Sequence, residues 1–170
     1  MKLYKKGFTL IELLVVIAII GILSTLAVTA VQVARAKAKL AKAAREVSQI
    51  VTALKMLEND TGYWPGHQEV DVMTNGIAAG DNNEICGDGC SYSISSGYAG
   101  LSEDDISEPY ENWSGPYMVN IPPDPWGNEY FFDTDYDHPE YGWSVVVGSY
   151  GPDGIGNNQY NSDDIIKKIY

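Results

Sequence analysis

The chain opens on a run that is apolar at nearly every position, and the pattern then changes twice. From Phe8 to Val31 the residues FTLIELLVVIAIIGILSTLAVTAV carry a single charge, Glu12. Such a run is long enough to cross a hydrocarbon core as a helix. A secretory signal peptide is the competing reading, because Lys2, Lys5 and Lys6 precede the run. A signal's apolar stretch is shorter, however, and carries no acid. After Gln32 the apolar positions thin to a stripe. Leu40, Ala44, Val47, Val51, Leu54 and Leu57 recur at steps of three and four, the spacing of an amphipathic helix. No Pro or Gly interrupts from Ile22 to Thr61, and strong helix formers dominate. The pattern therefore predicts one helix from about Phe8 to about Glu58, roughly 75 Å long, ended by Asn59-Asp60-Thr61-Gly62. Its first half is oily all round and suits lipid or other such helices. Its second half has one oily stripe and suits a globular head.

From Gly62 to about Pro123 the periodicity disappears, and Gly, Ser, Asn, Asp, Tyr and Pro accumulate. This predicts a long connecting region with short local elements, a length that in compact domains signals either function or elements wrongly assigned. Three short strands follow: EYFFD (129–133), GWSVVVGS (142–149) and DIIKKIY (164–170). PPDPWGN is a turn cluster before the first strand. DTDYDHPEYG links the first two, and YGPDGIGNNQYNSD links the last two. Sequential strands joined this way favour an antiparallel meander with one face under the helix stripe. The expected class is α+β, a long N-terminal helix on a small three-stranded antiparallel sheet.

Charge changes the picture. The 170 residues are one domain long and carry a net charge of −12. No basic side chain occurs between Met56 and Ile166, where the acids crowd. A head of that sign repels phosphates, which argues against a nucleic-acid partner. It suits a hard cation such as Ca²⁺, although solvation alone accounts for most of the acids. Arg35, Lys37, Lys39, Lys42 and Arg45 form a basic neck below the acidic head. In a staggered stack that neck would approach a neighbour's head, and anionic lipid headgroups are the other candidates for it. Cys86 and Cys90, in CGDGC, form a small disulfide loop if the head is outside the cytoplasm. A zinc site would need two more ligands, and His67 and His138 are distant in sequence.

The motif KGFTLIELLVVIAIIGIL resembles the class III signal and N-terminal helix of type IV pilins and pseudopilins. PPDPWGNEYFF, GWSVVVGSYGPDG and DDI together are similar to the major pseudopilins of type II secretion systems. The resemblance implies a pilin-like fold and a membrane prepilin peptidase that recognises Lys6, Gly7 and Phe8. It would cut after Gly7 and methylate the new amine of Phe8. The parts are then a leader at 1–7, an assembly helix at 8–31 and a head at 32–170 that includes the loop 62–123. The mature subunit would leave the membrane and stack with copies of itself into a short periplasmic fibre that drives protein secretion, with no active site of its own. Its expected partners are other copies, the peptidase, an inner-membrane assembly platform, minor pseudopilins and, before assembly, lipid. A surface pilus for adhesion, motility or DNA uptake is the alternative. A membrane-tethered glycosidase is a third reading, but nothing in SEDDISEPYE sets one carboxyl as acid and another as base. Relatives usually carry a helix-breaking proline late in the oily run; here Thr29 stands there, and the nearest breaker is Gly21.

Two constellations carry the chemistry. A lone carboxylate in hydrocarbon costs several kcal/mol or turns neutral, so Glu12 needs a partner. The resemblance supplies the Phe8 amine of an adjacent subunit; a protonated Glu12 near the interface is the plainer reading. In SYGPDGIGNNQYNSDDI, Asp153, Asn157, Asn158, Asn161, Asp163 and Asp164 put many oxygens in one Gly-rich loop. That composition suits Ca²⁺, although the spacing is not that of an EF-hand. The resemblance implies a calcium site between these strands, with Asp153 and Asp164 foremost, then Asp163, Asn161 and the Tyr150 carbonyl. An Asx-rich turn is the alternative.

Overall fold

The structure is a computed structural model and describes residues 7–70, 85–86, 90, 92–140, 142–156 and 160–169. Its one long helix, α1, runs Leu10–Thr61. Thr9 and Glu12 start it as a reciprocal capping box. The Glu12 carboxylate accepts from Thr9 N and Thr9 Oγ1, both at 2.8 Å, and Thr9 Oγ1 accepts from Glu12 N at 3.3 Å. Gly62 ends it. Its backbone has φ 77°, a left-handed value that favours glycine, and its N–H closes on Glu58 O at 2.8 Å. The helix thus outruns the expected stop at Glu58 by one turn's worth of residues.

The chain divides into two compact units, Met1–Ala38 and Lys39–Tyr170. In the first, the described helical residues are exposed on every side, and the segment meets the length and apolarity of a membrane-crossing helix. Neither Gly21 nor Thr29 interrupts it. Thr25 and Thr29 fold their hydroxyls back onto the Ile22 and Leu26 carbonyls at 2.8 and 2.9 Å, so both are satisfied within the helix.

In the second unit the buried face of α1 is Ala43, Val47, Ile50, Val51, Ala53, Leu54 and Leu57. Leu40 and Ala44, expected in the stripe, are exposed. The stripe is turned toward Ala43 and Ile50, and Leu40 lies a turn before burial begins. The three-stranded sheet consists of β3 (Phe131–His138), β4 (Gly142–Ser149) and β5 (Ile165–Lys168), antiparallel and in that order. The first strand was expected to end at Asp133, but it continues through DTDYD. A register shift between Asp133 and Tyr136 absorbs the mismatch, and Asp135 N donates to Asp133 Oδ1 at 2.9 Å inside it. Asp is depleted in strands, which is why this stretch reads as a link.

The region 62–123 contributes more than a connection. It holds a small hairpin, β1 (Tyr63–Trp64) with β2 (Gln68–Glu69), and a 3₁₀ turn at Gly97–Ala99. It also sends Trp64, Ile85, Ile94, Leu101, Tyr110 and Ile121 into the core beside Ile50, Leu54, Phe132 and Val147. Ile85 pairs with Phe132 through two backbone hydrogen bonds of 2.9 Å. Across the helix–sheet seam, Tyr130 Oη donates to Glu46 at 2.6 Å, and Lys42 lies 3.6 Å from the same carboxylate. On the opposite face of the sheet a second cluster gathers Cys86, Phe131, Tyr136, Val146 and Tyr150. Cys86 and Cys90 are joined as a disulfide, with Cα atoms 5.4 Å apart.

Candidate functional site

Two places carry the residues singled out by sequence. The first is the start of α1. Phe8 is 85% exposed, and a Cβ on Gly7 would meet nothing within 4 Å. Both residues precede the first helical turn, where the chain can enter another protein's cleft. Lys6 lies outside the described residues. Glu12 is exposed, and its carboxylate is engaged by Thr9 of its own chain. The Thr9-x-x-Glu12 spacing carried this capping box in the sequence.

The second place is the loop between β4 and β5. Asp153 Oδ2 accepts from Asn161 Nδ2 at 2.8 Å, and Asp153 Oδ1 accepts from Ile155 N at 2.9 Å. Asp163 Oδ2 accepts from Asp153 N at 3.3 Å. Asp164 Oδ2 accepts from Asn161 N at 2.9 Å and from the Tyr136 hydroxyl. Asp153, Asn161, Asp163 and Asp164 therefore share one hydrogen-bond network. Asn157 and Asn158 lie outside the described residues. Tyr150 is buried, its ring stacked on Phe131 with centroids 4.3 Å apart.

The electrostatics of this loop are unbalanced. Asp164 Oδ1 is buried with no hydrogen-bond partner. Burial pushes the Asp164 carboxyl up to about 6, and the charges of Asp163 and Asp153 push the same way, against hydrogen bonds from Tyr136 and Asn161. Burial and the adjacent Asp164 raise the Tyr136 phenol in turn. Gly156, with φ 155°, leaves open a space that a Cβ would fill, 2.7 and 2.9 Å from the Asp164 oxygens. The oxygens present, carboxylates with an amide and carbonyls, are of the class Ca²⁺ takes. Among the described residues no three His, Cys, Asp or Glu side chains are grouped as a metal cage. Instead the Asn161 amide nitrogen lies between Asp153 Oδ2 and the Ile155 carbonyl, 3.5 Å from the latter, filling the position of a donor that a cation could take.

Sequence reasoning missed what holds this loop. Asp124 is 4% exposed. Its Oδ1 accepts from Trp126 N, Gly127 N and Asn128 N at 2.9, 2.8 and 2.9 Å, and its Oδ2 accepts from Ser149 Oγ at 2.6 Å. Asn128 then donates to Gly151 O at 3.0 Å. The turn PPDPWGN is thereby a clamp on the end of β4. Its local half was legible as a turn signal; the reach to Ser149 was not. Two of the acids of SEDDISEPYE, Asp104 and Asp105, are spent on their own backbone. Asp104 Oδ1 accepts from Asp105 N and Tyr110 N at 2.9 and 3.0 Å, and Asp105 Oδ1 accepts from Ser107 N at 2.7 Å. Asp105 also lies 3.6 Å from His67 Nε2, and His67 stacks on Tyr110.

Comparison with known proteins places these features. Residues 2–28 match the family model of the prokaryotic N-terminal methylation motif, and residues 90–168 match that of type II secretion system protein G. Among solved structures the chain is similar to the major pseudopilin from the type 2 secretion system of enterohaemorrhagic Escherichia coli. The identity is 20%, with 78% of this chain and 85% of that chain covered and a TM-score of 0.48. No curated protein matches. The chain thus joins a prokaryotic N-terminal methylation motif, over residues 2–28, to a type II secretion system protein G domain, over residues 90–168.

Proposed function

We propose that this chain is the repeating structural subunit of a type II secretion pseudopilus. The observation that carries the reading is the protein G domain in the same chain as a methylation-motif helix whose apolar surface is bare on every side. Such a helix is covered by lipid before assembly and by other copies of itself after it. Prepilin peptidase cleaves after Gly7 and methylates Phe8, and the assembly platform and minor pseudopilins start the fibre. Glu12 then exchanges its Thr9 donors for the methylated amine of a neighbouring subunit. The head stays outside the cytoplasm, where the Cys86–Cys90 disulfide is stable. Electron microscopy of shed filaments, with mass spectrometry of the mature N-terminus, tests this. The expected result is short fibres whose subunits begin at a methylated Phe8. Fibres that retain residues 1–7, or a strain that secretes normally without the chain, would overturn it.

The β4–β5 loop is a calcium site within the same proposal. The support is the orphaned Asp164 Oδ1 beside the like-charged carboxylates of Asp153 and Asp163. Asp153 and Asp164 would hold the ion, with Asp163, Asn161 and the Tyr150 carbonyl beside them. The bound cation would supply the positive charge that relieves these acids and fixes the loop between two strands. Asn161 would present its oxygen rather than its nitrogen.

A further inference from the structure

The head has three basic side chains beyond the neck, Lys55, Lys167 and Lys168, and all three line one open cleft of about 740 Å³. α1 forms one wall and β5 another. Val51, Met56 and Tyr117 supply the apolar part, and Met56 is half exposed there. Lys167 Nζ reaches Ser48 Oγ at 3.4 Å. Asp60 also lines the cleft, and hydrogen bonds from the Ser114 hydroxyl, Asn59 Nδ2 at 3.2 Å and Tyr117 Oη at 3.1 Å hold its carboxyl below its usual range and therefore charged, one acid against three lysines. The cleft is thus a cationic rim around apolar surface, in a head that is otherwise acidic.

The same head carries the complementary shape. In SEDDISEP, Asp104 and Asp105 pin the loop by accepting its backbone N–H groups. Ile106, at the tip, is 93% exposed. Glu103 and Glu108 stand exposed on either side. A pinned loop holding an isoleucine in water between two carboxylates is an apolar knob with an anionic collar. Since Ile106 is bare, the chain's own cleft does not hold it.

We infer that the knob at Ile106 docks into the Lys55–Lys167–Lys168 cleft of a second copy of this chain, forming the head-to-head contact of the fibre. The occupant follows from charge and shape. Knob and hole are distinct patches on one chain, so the contact is heterologous, and such contacts propagate as open helical arrays when the rotation does not close. The opposed charges fix register and speed encounter. The inference rests on the fibre reading, which fixes the partner as another copy.

The test uses full-length chains in the host that carries the secretion machinery. Two differently tagged copies are co-expressed, one with Ile106→Cys and one with Met56→Cys, and filaments are oxidised and probed for a mixed dimer. In parallel, Lys167→Glu with Lys168→Glu, Glu103→Lys with Glu108→Lys, and all four together are scored for filament yield. The expected results are a mixed dimer, a loss of at least tenfold in each charge-reversed pair, and recovery in the fourfold variant, which a folding defect would not give. Normal fibres without the dimer, or normal yield from both pairs, overturn the inference. A loss in the cleft pair with no recovery and no dimer also overturns it, and gives the cleft to an acidic segment of another protein. Absence of fibres from the wild-type chain would instead remove the fibre reading.

Discussion

At the level of single residues, Glu12 has two claims on its carboxylate. Within its own chain it completes the capping box with Thr9. In a fibre it would face the Phe8 amine of a neighbour. Glutamine also serves at this position of a capping box, so Glu12→Gln keeps the helix start and removes only the charge. The expected outcome is normal cleavage by mass spectrometry and loss of filaments by electron microscopy; filaments at wild-type number would return Glu12 to a capping role alone. Asp124 is the second residue of consequence. Asp124→Ala strips the acceptor from three backbone N–H groups and the Ser149 hydroxyl. The expected loss is about 3 kcal/mol, since each buried group left unpaired is costly. Urea unfolding of a head fragment beginning near Gln32 measures it, and a change under ~0.5 kcal/mol would show the clamp to be dispensable.

Among the elements, the β4–β5 loop is where the calcium proposal is tested. Ca²⁺ should raise the melting temperature of the head fragment and EDTA should return it. Asp153 is exposed, so Asp153→Ala should leave the metal-free melting temperature nearly unchanged while abolishing the calcium shift. A melting curve indifferent to both Ca²⁺ and EDTA would remove the site. The disulfide closes a loop of only a few residues, and replacing Cys86 and Cys90 by Ser should cost roughly 2 kcal/mol by the loop-entropy relation; melting with and without reductant checks this. Legibility differed by element for a physical reason. The second half of α1 is written in a period of 3.6 and β4 as a short run of valines bounded by glycines, so both were visible. The second half of β3 was not, because a bulge carries Asp133 and Asp135 into buried positions where alternation fails. Nor was the core role of Ile85, Ile94 and Leu101, which lie in a region without period.

For the molecule as a whole, the division into an apolar helical unit and an acidic head sets the demands on assembly. Lys42 pairs along the helix with Glu46 at 3.6 Å, and Lys39 lies 5.8 Å from the Trp126 ring. Arg35 and Lys37 precede that head unit. Arg35→Glu with Lys37→Glu is therefore a cleaner probe of contact between copies than reversal at Lys39 and Lys42. It should lower filament yield at low salt, and the difference should vanish toward 1 M salt, where the Debye length is ~3 Å. Equal yields at low salt would assign the neck to lipid headgroups instead.

The sequence by itself determined the long helix, its change from oily to striped, the placing of three strands, the motif around Gly7 and Glu12, and the acidic loop that could hold calcium. All of these are set by residues within a few positions of one another, or by composition. Tertiary structure alone decided which polar groups meet across the chain. Ser149 reaches Asp124 across 25 residues, Tyr136 reaches Asp164 across 28, and Tyr130 reaches Glu46 across 84. It also turned the buried stripe of α1 toward Ile50, spent Asp104 and Asp105 on their own loop, and gathered three lysines of an acidic head into one cleft. Periodicity carries no information about such pairs, because packing of the helix on the sheet, and not chain proximity, brings them within reach.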